Sequence, residues 1–533
     1  MKRILVLSLV PVALALAAPA AGARVVARGS VEQVQATGVK PKARAVLLNR
    51  HGKKTAAVKA DAQGGLVFRQ VKPGKGYRVR AGKATSKPVT VWNKRPAPRN
   101  ASKLYRQKIP ADGYGYLRTR DGTKLAIDVH LPSGDGPFPT LIEYSGYGYA
   151  DPAGGESSIA VIGNLMGFAI VDVNMRGTGC SGGAFDYFEP LQGLDGYDVI
   201  ETVARQPWAL HHKVGMMGIS YGGISQLFTA QYNPPSLAGI TPLSVIDNTA
   251  TTLYPGGLLN TGFALSWAKD RVHDALPASA TGGQGWALKR IQEGDKTCKA
   301  NQVLHGAAVD LLGKTHANRF YIPKVADPLA PVTFVHKIQV PTFMACQFTD
   351  EQTGGHCPTL AEHMTGTRRK WFTFTNGTHV DSLAPETYNR WCDFLALYVA
   401  QQAPATMCAP NRAAAPVVYK EAMGIDGVTL PRDPIQEQPT YDTALKAFEQ
   451  LDPIRILFDN GAGGQSAGQP YPGFEQSFKS FPIPGTTARS WYLDRDGALS
   501  DNARGATGAD ERTHACTAPA PTTVVFDSSG LVT

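Results

Sequence analysis

Past residue 23 the sequence has no apolar run long enough to cross a bilayer as a helix. None of its seven cysteines stands in a CxxC pair, which argues against a cysteine metal site. It has no internal repeats, so solenoid and propeller architectures are excluded. Carboxylates are almost missing from one stretch. Residues 24–100 hold 19 Lys and Arg against two acids, Glu32 and Asp61. Of the net charge of +11, that stretch contributes +17 and Lys2 with Arg3 another +2, leaving −8 for the remainder. The chain is a basic N-terminal module on a mildly acidic body. The basic stretch also lacks an aromatic stacking pattern, so nucleic acid is not the expected partner.

At 533 residues the chain exceeds one hydrophobic core, and several domains are expected. Residues 1–23 read as a secretory signal. Lys2 and Arg3 form the charged start, Ile4 to Ala18 the apolar run and Ala21-Gly22-Ala23 the small-residue cleavage site. The mature protein is therefore expected outside the cytoplasm, without a transmembrane segment. An odd cysteine count in an oxidising compartment implies bridges plus one leftover thiol. Cys346 with Cys357, and Cys392 with Cys408, are candidate pairs by proximity.

Residues 24–103 read as a basic β-sandwich accessory module. Its short strands RAVLLN, TAAVKA, GLVFRQV, GYRVRAG and KPVTVWN are separated by Gly turns. It resembles the carboxypeptidase-regulatory type of extracellular module. Its charge reads either as a solvated surface or as a contact, through residues 24–100, for anionic polymer or cell surface. Residues 94–102 (KRPAPRNAS) read as a linker. From 104 to 250, apolar strands alternate with helical stretches, the grammar of a parallel α/β sheet. From 251 to 335 amphipathic stretches such as FALSWAKDRVHDAL suggest a helical cap. The sheet resumes over 336–402. From 403 to 533 the chain is rich in Pro, Gly and Thr and reads as an all-β C-terminal domain.

One serine stands between glycines in VGMMGISYGGIS. A strand ends at Ile219 and a helix begins at Tyr221, so Ser220 lies where a nucleophile elbow requires it. Its hydroxyl needs a base, and the base an orienting acid. In this grammar the order is Ser, acid, His, on loops after later strands. Asp350 follows the strand VPTFMAC, and His379 follows KWFTFTNG. Glu351 competes for the role of acid, and His356 or His363 for that of base. His211 and His212 precede the nucleophile strand and read as solvent-facing. Asp381 is too close in sequence to face the His379 ring.

The blocks TRDGTKLAIDVHLP, FPTLIEYSGYG, VDVNMRGTGCSGG, LDGYDVIETVARQPW, KVGMMGISYGG, IQVPTFMACQFTDEQ and FTNGTHVD follow one another in order. Together they resemble the X-Pro dipeptidyl-peptidase/cocaine esterase family of α/β-hydrolases, which includes α-amino-acid ester hydrolases. The resemblance covers about residues 112–400. It implies an α/β-hydrolase core and a triad carried by Ser220, Asp350 and His379. It also implies an oxyanion hole made by the Tyr147 hydroxyl and the Tyr221 amide, with Tyr144 and Tyr149 as rivals of Tyr147. Arg176 matches a family arginine and reads as a structural ion pair, and Asp198 as a brace. The family's tail is a jelly roll. This chain stops partway through it, so an incomplete jelly-roll domain is expected.

These features lead to a secreted serine hydrolase that needs no metal or organic cofactor. An acyl esterase comes first, because the cap acids Asp270, Asp274, Glu293, Asp295, Asp310 and Asp327 form no obvious cluster to hold a substrate amine. The alternatives are an X-Pro dipeptidyl aminopeptidase acting on peptides and a non-catalytic surface-binding protein.

Overall fold

The computed structural model describes residues 25–154, 157–461, 468–487, 489–493 and 499–501. The signal segment and Cys516 lie outside them. The chain divides into two compact units, residues 1–481 and 482–533. In the second, Tyr492–Leu493 pairs antiparallel with Leu499–Ser500. All that follows concerns the first.

The N-terminal module is a sandwich of two antiparallel sheets. One comprises β1 (Val26–Gly29), β2 (Val34–Thr37) and β5 (Leu66–Phe68). The other comprises β3 (Arg44–Leu48), β4 (Lys54–Lys59), β6 (Gly74–Ala81), β7 (Ala84–Thr85) and β8 (Val89–Val91). Period-2 alternation sends Ala45, Leu47 and Val79 inward against Val34, Ala36 and Phe68. The β1–β2–β5 side meets the body. Ser30 Oγ donates to Asp121 at 2.7 Å, Gln33 to Glu189, and Val67 packs with Ala184 and Leu304.

The body is built on a ten-stranded sheet. Its strands are β9 (Gly113–Arg118), β10 (Lys124–His130), β11 (Thr140–Ser145), β12 (Ala169–Asn174), β13 (Val214–Met217), β14 (Leu237–Ile240), β15 (Thr342–Gln347), β16 (Lys370–Thr375), β17 (Ile454–Phe458) and β18 (Phe474–Phe478). Their order is β9-β10-β12-β11-β13-β14-β15-β16-β17-β18. Strands β11 to β17 are parallel, and the antiparallel pairs lie towards the two edges. A hairpin, one strand swap and then a parallel run make this an α/β-hydrolase sheet. Every residue of β11, β12, β13 and β15 is buried, as expected of strands covered on both faces. No helix of the described residues is long and apolar enough to cross a membrane.

The cap is helical as expected, with helices Phe263–Asp274, Gly285–Gln292, Lys296–Asn301 and Leu311–Ala317. It is fastened to the loop after β12. Asn301 and Gln302 side chains donate to the carbonyls of Cys180 and Gly179, and Cys180 is bridged to Cys298. Both candidate disulfides, Cys346–Cys357 and Cys392–Cys408, are present. The Cys180–Cys298 bridge was not foreseen.

The all-β reading of 403–533 needs correction. Residues Pro404–Met407, Ala409–Met423 and Tyr441–Glu449 are helices, and β17 and β18 extend the main sheet instead of forming a jelly roll. Among the described residues no jelly roll occurs. The prolines misled: Pro404 and Pro410 sit in first helical turns, where the missing N–H costs nothing. The helices share the main core, with Ala415, Tyr419 and Phe448 buried and Phe448 packed on Trp371 at 4.7 Å between ring centroids.

Candidate active site

The elbow is built from a tight approach of backbones. Strand β13 ends at Met217 and the helix Tyr221–Ala230 begins three residues after Gly218. Ser220 between them has φ 59° and ψ −122°. An L-residue there is strained by about 1–3 kcal/mol, a cost typical of functional positions. The Ser220 amide donates to Leu243 O at 2.9 Å, which fixes the turn. Glycine is required at two places. A Cβ on Gly218, itself at φ +142°, would lie 2.7 Å from the Gly222 carbonyl carbon, and one on Gly223 2.5 Å from Leu243 O.

Strands β15 and β16 are parallel neighbours, so their C-terminal loops emerge side by side. They bring Asp350 to His379. The ring Nδ1 lies 2.8 Å from Asp350 Oδ2 and 3.0 Å from Oδ1. Asp350 Oδ1 also accepts from the Gln352 and Thr353 amides, each at 2.8 Å. Burial alone would raise this carboxyl's pKa; the hydrogen bond and charge of His379 outweigh burial and lower it. The opposite ring atom, Nε2, is buried and has no hydrogen-bond partner among the described residues. The rival Glu351 is engaged elsewhere, its carboxylate accepting from the His379 backbone amide at 2.9 Å. Ser244 Oγ lies 2.6 Å from His379 O. Two side chains thus hold the backbone of the histidine while Asp350 holds its ring. The Cys346–Cys357 bridge closes the loop that carries Asp350.

The other competitors fall away. His363 Nδ1 contacts Thr359 O within its own helix, and His212 Nδ1 contacts Ala204 O. His211 is exposed. His356 sits beside Asp247. Asp381 accepts from the Thr378 amide at 2.7 Å and caps its own turn.

Among the tyrosines after β11, Tyr144 donates to Gln192 O at 3.0 Å and Tyr149 is half-buried beside Glu143. Tyr147 packs edge-on against Tyr221, with ring centroids 5.4 Å apart. The cap reaches this pair. Trp267 Nε1 donates to the Tyr147 hydroxyl at 2.9 Å, and the Arg271 guanidinium stands 4.8 Å over the Tyr147 ring. Sequence reasoning missed Trp267 and Arg271, since no local pattern marks a cap residue that touches a core loop.

A model of the family X-Pro dipeptidyl-peptidase (S15 family) matches residues 121–381. That span holds the elbow and the loops of Asp350, His379 and Tyr147. Among proteins similar to the chain is a serine esterase, so named, of Mycobacterium bovis, 27% identical over 210 residues, which are 36% of this chain and 33% of that one. Cocaine esterase of Rhodococcus is 30% identical over 153 residues, 28% of this chain and 26% of that one. The matched part thus spans about a third or less of these relatives' length. A solved CocE/NonD family hydrolase of Staphylococcus aureus superposes with a TM-score of 0.48 at 17% identity, covering 73% of this chain and 60% of that one.

Ser220 opens onto a cleft of about 1080 Å³, part of it open to solvent. Gln352 and Thr353, beside Asp350, line it too. Its walls are Tyr187, Ile224, Ile246, Leu253, Phe263 and Trp267, among other apolar residues, with Lys314 as the one charged side chain and no carboxylate among the described lining residues. The cap acids are engaged elsewhere. Asp274 pairs with Arg271 at 2.7 Å, and Glu293 with Arg290 at 3.3 Å. Asp295 and Asp310 cap helices, Asp327 accepts from Tyr321, and Asp270 is exposed. Arg176 is a structural ion pair, as expected: it forks onto Asp195 and reaches Asp121 at 3.1 Å, all three buried. Asp198 braces Arg120 and accepts from Tyr105.

Proposed function

We propose that the chain is an exported serine esterase acting on uncharged, apolar acyl esters. The observation that carries this reading is the cleft at Ser220, largely apolar and without a carboxylate among its described lining residues to hold a substrate α-amine. Apolar walls favour burial of an acyl chain or aromatic ring, at roughly 25 cal/mol per Å² of apolar surface removed from water.

In this reading Nε2 of His379 takes the Ser220 proton as Oγ attacks the ester carbonyl. The oxyanion is held by the Tyr147 hydroxyl and the Tyr221 amide, whose hydrogen bonds strengthen as charge develops. Trp267 donates to the Tyr147 oxygen and leaves the phenolic proton free for the oxyanion; a hydroxyl that accepts a hydrogen bond also donates a stronger one. Collapse breaks the C–O bond, and the imidazolium proton leaves with the alcohol. Water then gives its proton to His379 and attacks the acyl-enzyme, releasing the acid and restoring Ser220. Asp350 stays ionised, orienting the ring and balancing its charge.

A fluorophosphonate probe tests the nucleophile. The wild-type protein should label covalently and Ser220→Ala should not. Well-folded wild-type protein that fails to label would point to the non-catalytic surface binder.

A further inference from the structure

The β3–β4–β6 sheet of the N-terminal module turns a row of cations outward. Its inward residues are Ala45, Leu47, Val58 and Val79. The alternate positions Arg44, Lys59, Arg78 and Arg80 face outward, and an irregularity between Leu47 and Leu48 brings Lys54 opposite Leu48; all five are exposed. Register places Arg44 directly opposite Lys59, Arg80 opposite Val46, and both Arg78 and Lys54 opposite Leu48. With strands about 4.8 Å apart and same-face residues about 7 Å apart along each, the five charges share one small face. Like charges directly opposite one another on a sheet are destabilising.

Nothing in the module offsets them. Glu32 pairs with Lys94 at 3.3 Å. Asp61 closes its own turn, accepting from the Gln63 and Gly65 amides at 2.8 Å each. The acidic body does not offset them either. Among the described residues only Arg69 of the module's cations forms an ion pair with the body, to Asp186 at 3.9 Å. The contact with the body is made by the other sheet and chiefly by neutral groups: Ser30 and Gln35 to Asp121, Gln33 to Glu189, and Val67 in an apolar cluster. The cationic sheet therefore lies on the far side of the sandwich, facing away from the body.

We infer that this face docks a linear phosphodiester polyanion and so tethers the hydrolase to it. Guanidinium and ammonium groups both match phosphate oxygens, Arg as a fork and Lys as a point charge. The other outward residues on the face, Val46, Leu48, Ala57 and Thr85, offer no aromatic ring to stack on a base and no large exposed side chain to insert into a membrane. The ligand is thus recognised by charge spacing alone. The docking reading is independent of the catalytic one, because none of these residues lines the cleft.

The test uses the full chain and poly(glycerol phosphate) as probe, with binding measured from low to physiological salt. Contacts to about five phosphates give a slope of log K against log salt near −3.5. The triple variant Arg44→Gln/Lys59→Gln/Arg80→Gln should lower that slope to roughly −1.5 and weaken low-salt binding at least tenfold. A body variant with the same charge change, Lys289→Gln/Lys299→Gln/Lys324→Gln, should bind as wild type. Hydrolysis of a soluble ester should be unchanged in both, which confirms folding. Equal weakening by the two variants, or none by the first, overturns the docking face. Tighter binding to a carboxylate polysaccharide or to anionic phospholipid vesicles overturns the assignment of a linear phosphodiester polymer.

Discussion

The module and the body treat charge in opposite ways. The body buries ions in pairs: Arg176 with Asp195 and Asp121, and Arg120 with Asp198. The module leaves its cations exposed and, for the most part, without carboxylates. A buried pair keeps its geometry because breaking it strands an ion in low dielectric. An exposed cation holds nothing in place, and its energy is realised only with an outside partner. Charge in the body therefore positions groups, and charge in the module is available for recognition.

The contrast is sharpest at Asp350, the acid proposed to orient His379. Asp350→Asn should lower kcat about 10⁴-fold, because the ring loses its tautomer and counter-charge. Glu351→Gln, one residue on, meets the His379 backbone amide and the Gln352 side chain but not the ring, and should cost no more than about tenfold. Steady-state kinetics on a chromogenic ester would separate them, and equal losses would break the assignment.

Stability gives the next contrast. Arg176→Ala should cost about 3–5 kcal/mol by orphaning Asp195 and Asp121. Arg44→Ala on the module face should stay within about 0.5 kcal/mol. Denaturant unfolding of the two variants makes the comparison directly.

A buried carboxyl without an ion partner should show as pH dependence. Burial pushes Glu386 from 4.5 up to about 7, and its Oε2 has no hydrogen-bond partner among the described residues. The folded state then holds this proton more tightly than the unfolded chain. Its contribution is therefore greatest below about pH 4.5 and falls as pH rises to about 7, by up to about 3 kcal/mol. Glu386→Gln should flatten that part of the Tm-against-pH curve. The smallest effect lies in the cap. Trp267→Phe removes the indole N–H from the Tyr147 hydroxyl while keeping an aromatic wall, and kcat should fall about tenfold with KM little changed. A rise in KM alone would make Trp267 a wall and nothing more.

Much of the site was legible in the sequence because parallel-sheet chemistry is local. Ser220, Asp350 and His379 each follow directly on an apolar strand, and the glycines around Ser220 mark the elbow. What stayed hidden depends on distant chain. Cys180 and Cys298 are 118 residues apart. Glu351 and Asp350 are neighbours of equal chemistry, and only the fold shows which one faces the ring. Trp267 and Arg271 acquire meaning only once the cap lies against Tyr147. The C-terminal helices were misread because prolines were counted without asking where in a helix they fall. The hairpin strands of the module were legible from alternation, but the charged face appears only when register places Arg44 opposite Lys59.

The central claim is an esterase with an apolar cleft. The decisive measurement is kcat/KM on p-nitrophenyl butyrate beside alanyl-prolyl-p-nitroanilide, with Ser220→Ala as blank. The account predicts strong preference for the butyrate ester and loss of both activities in the variant. Preference for the anilide would contradict it and require a carboxylate to reach the substrate amine.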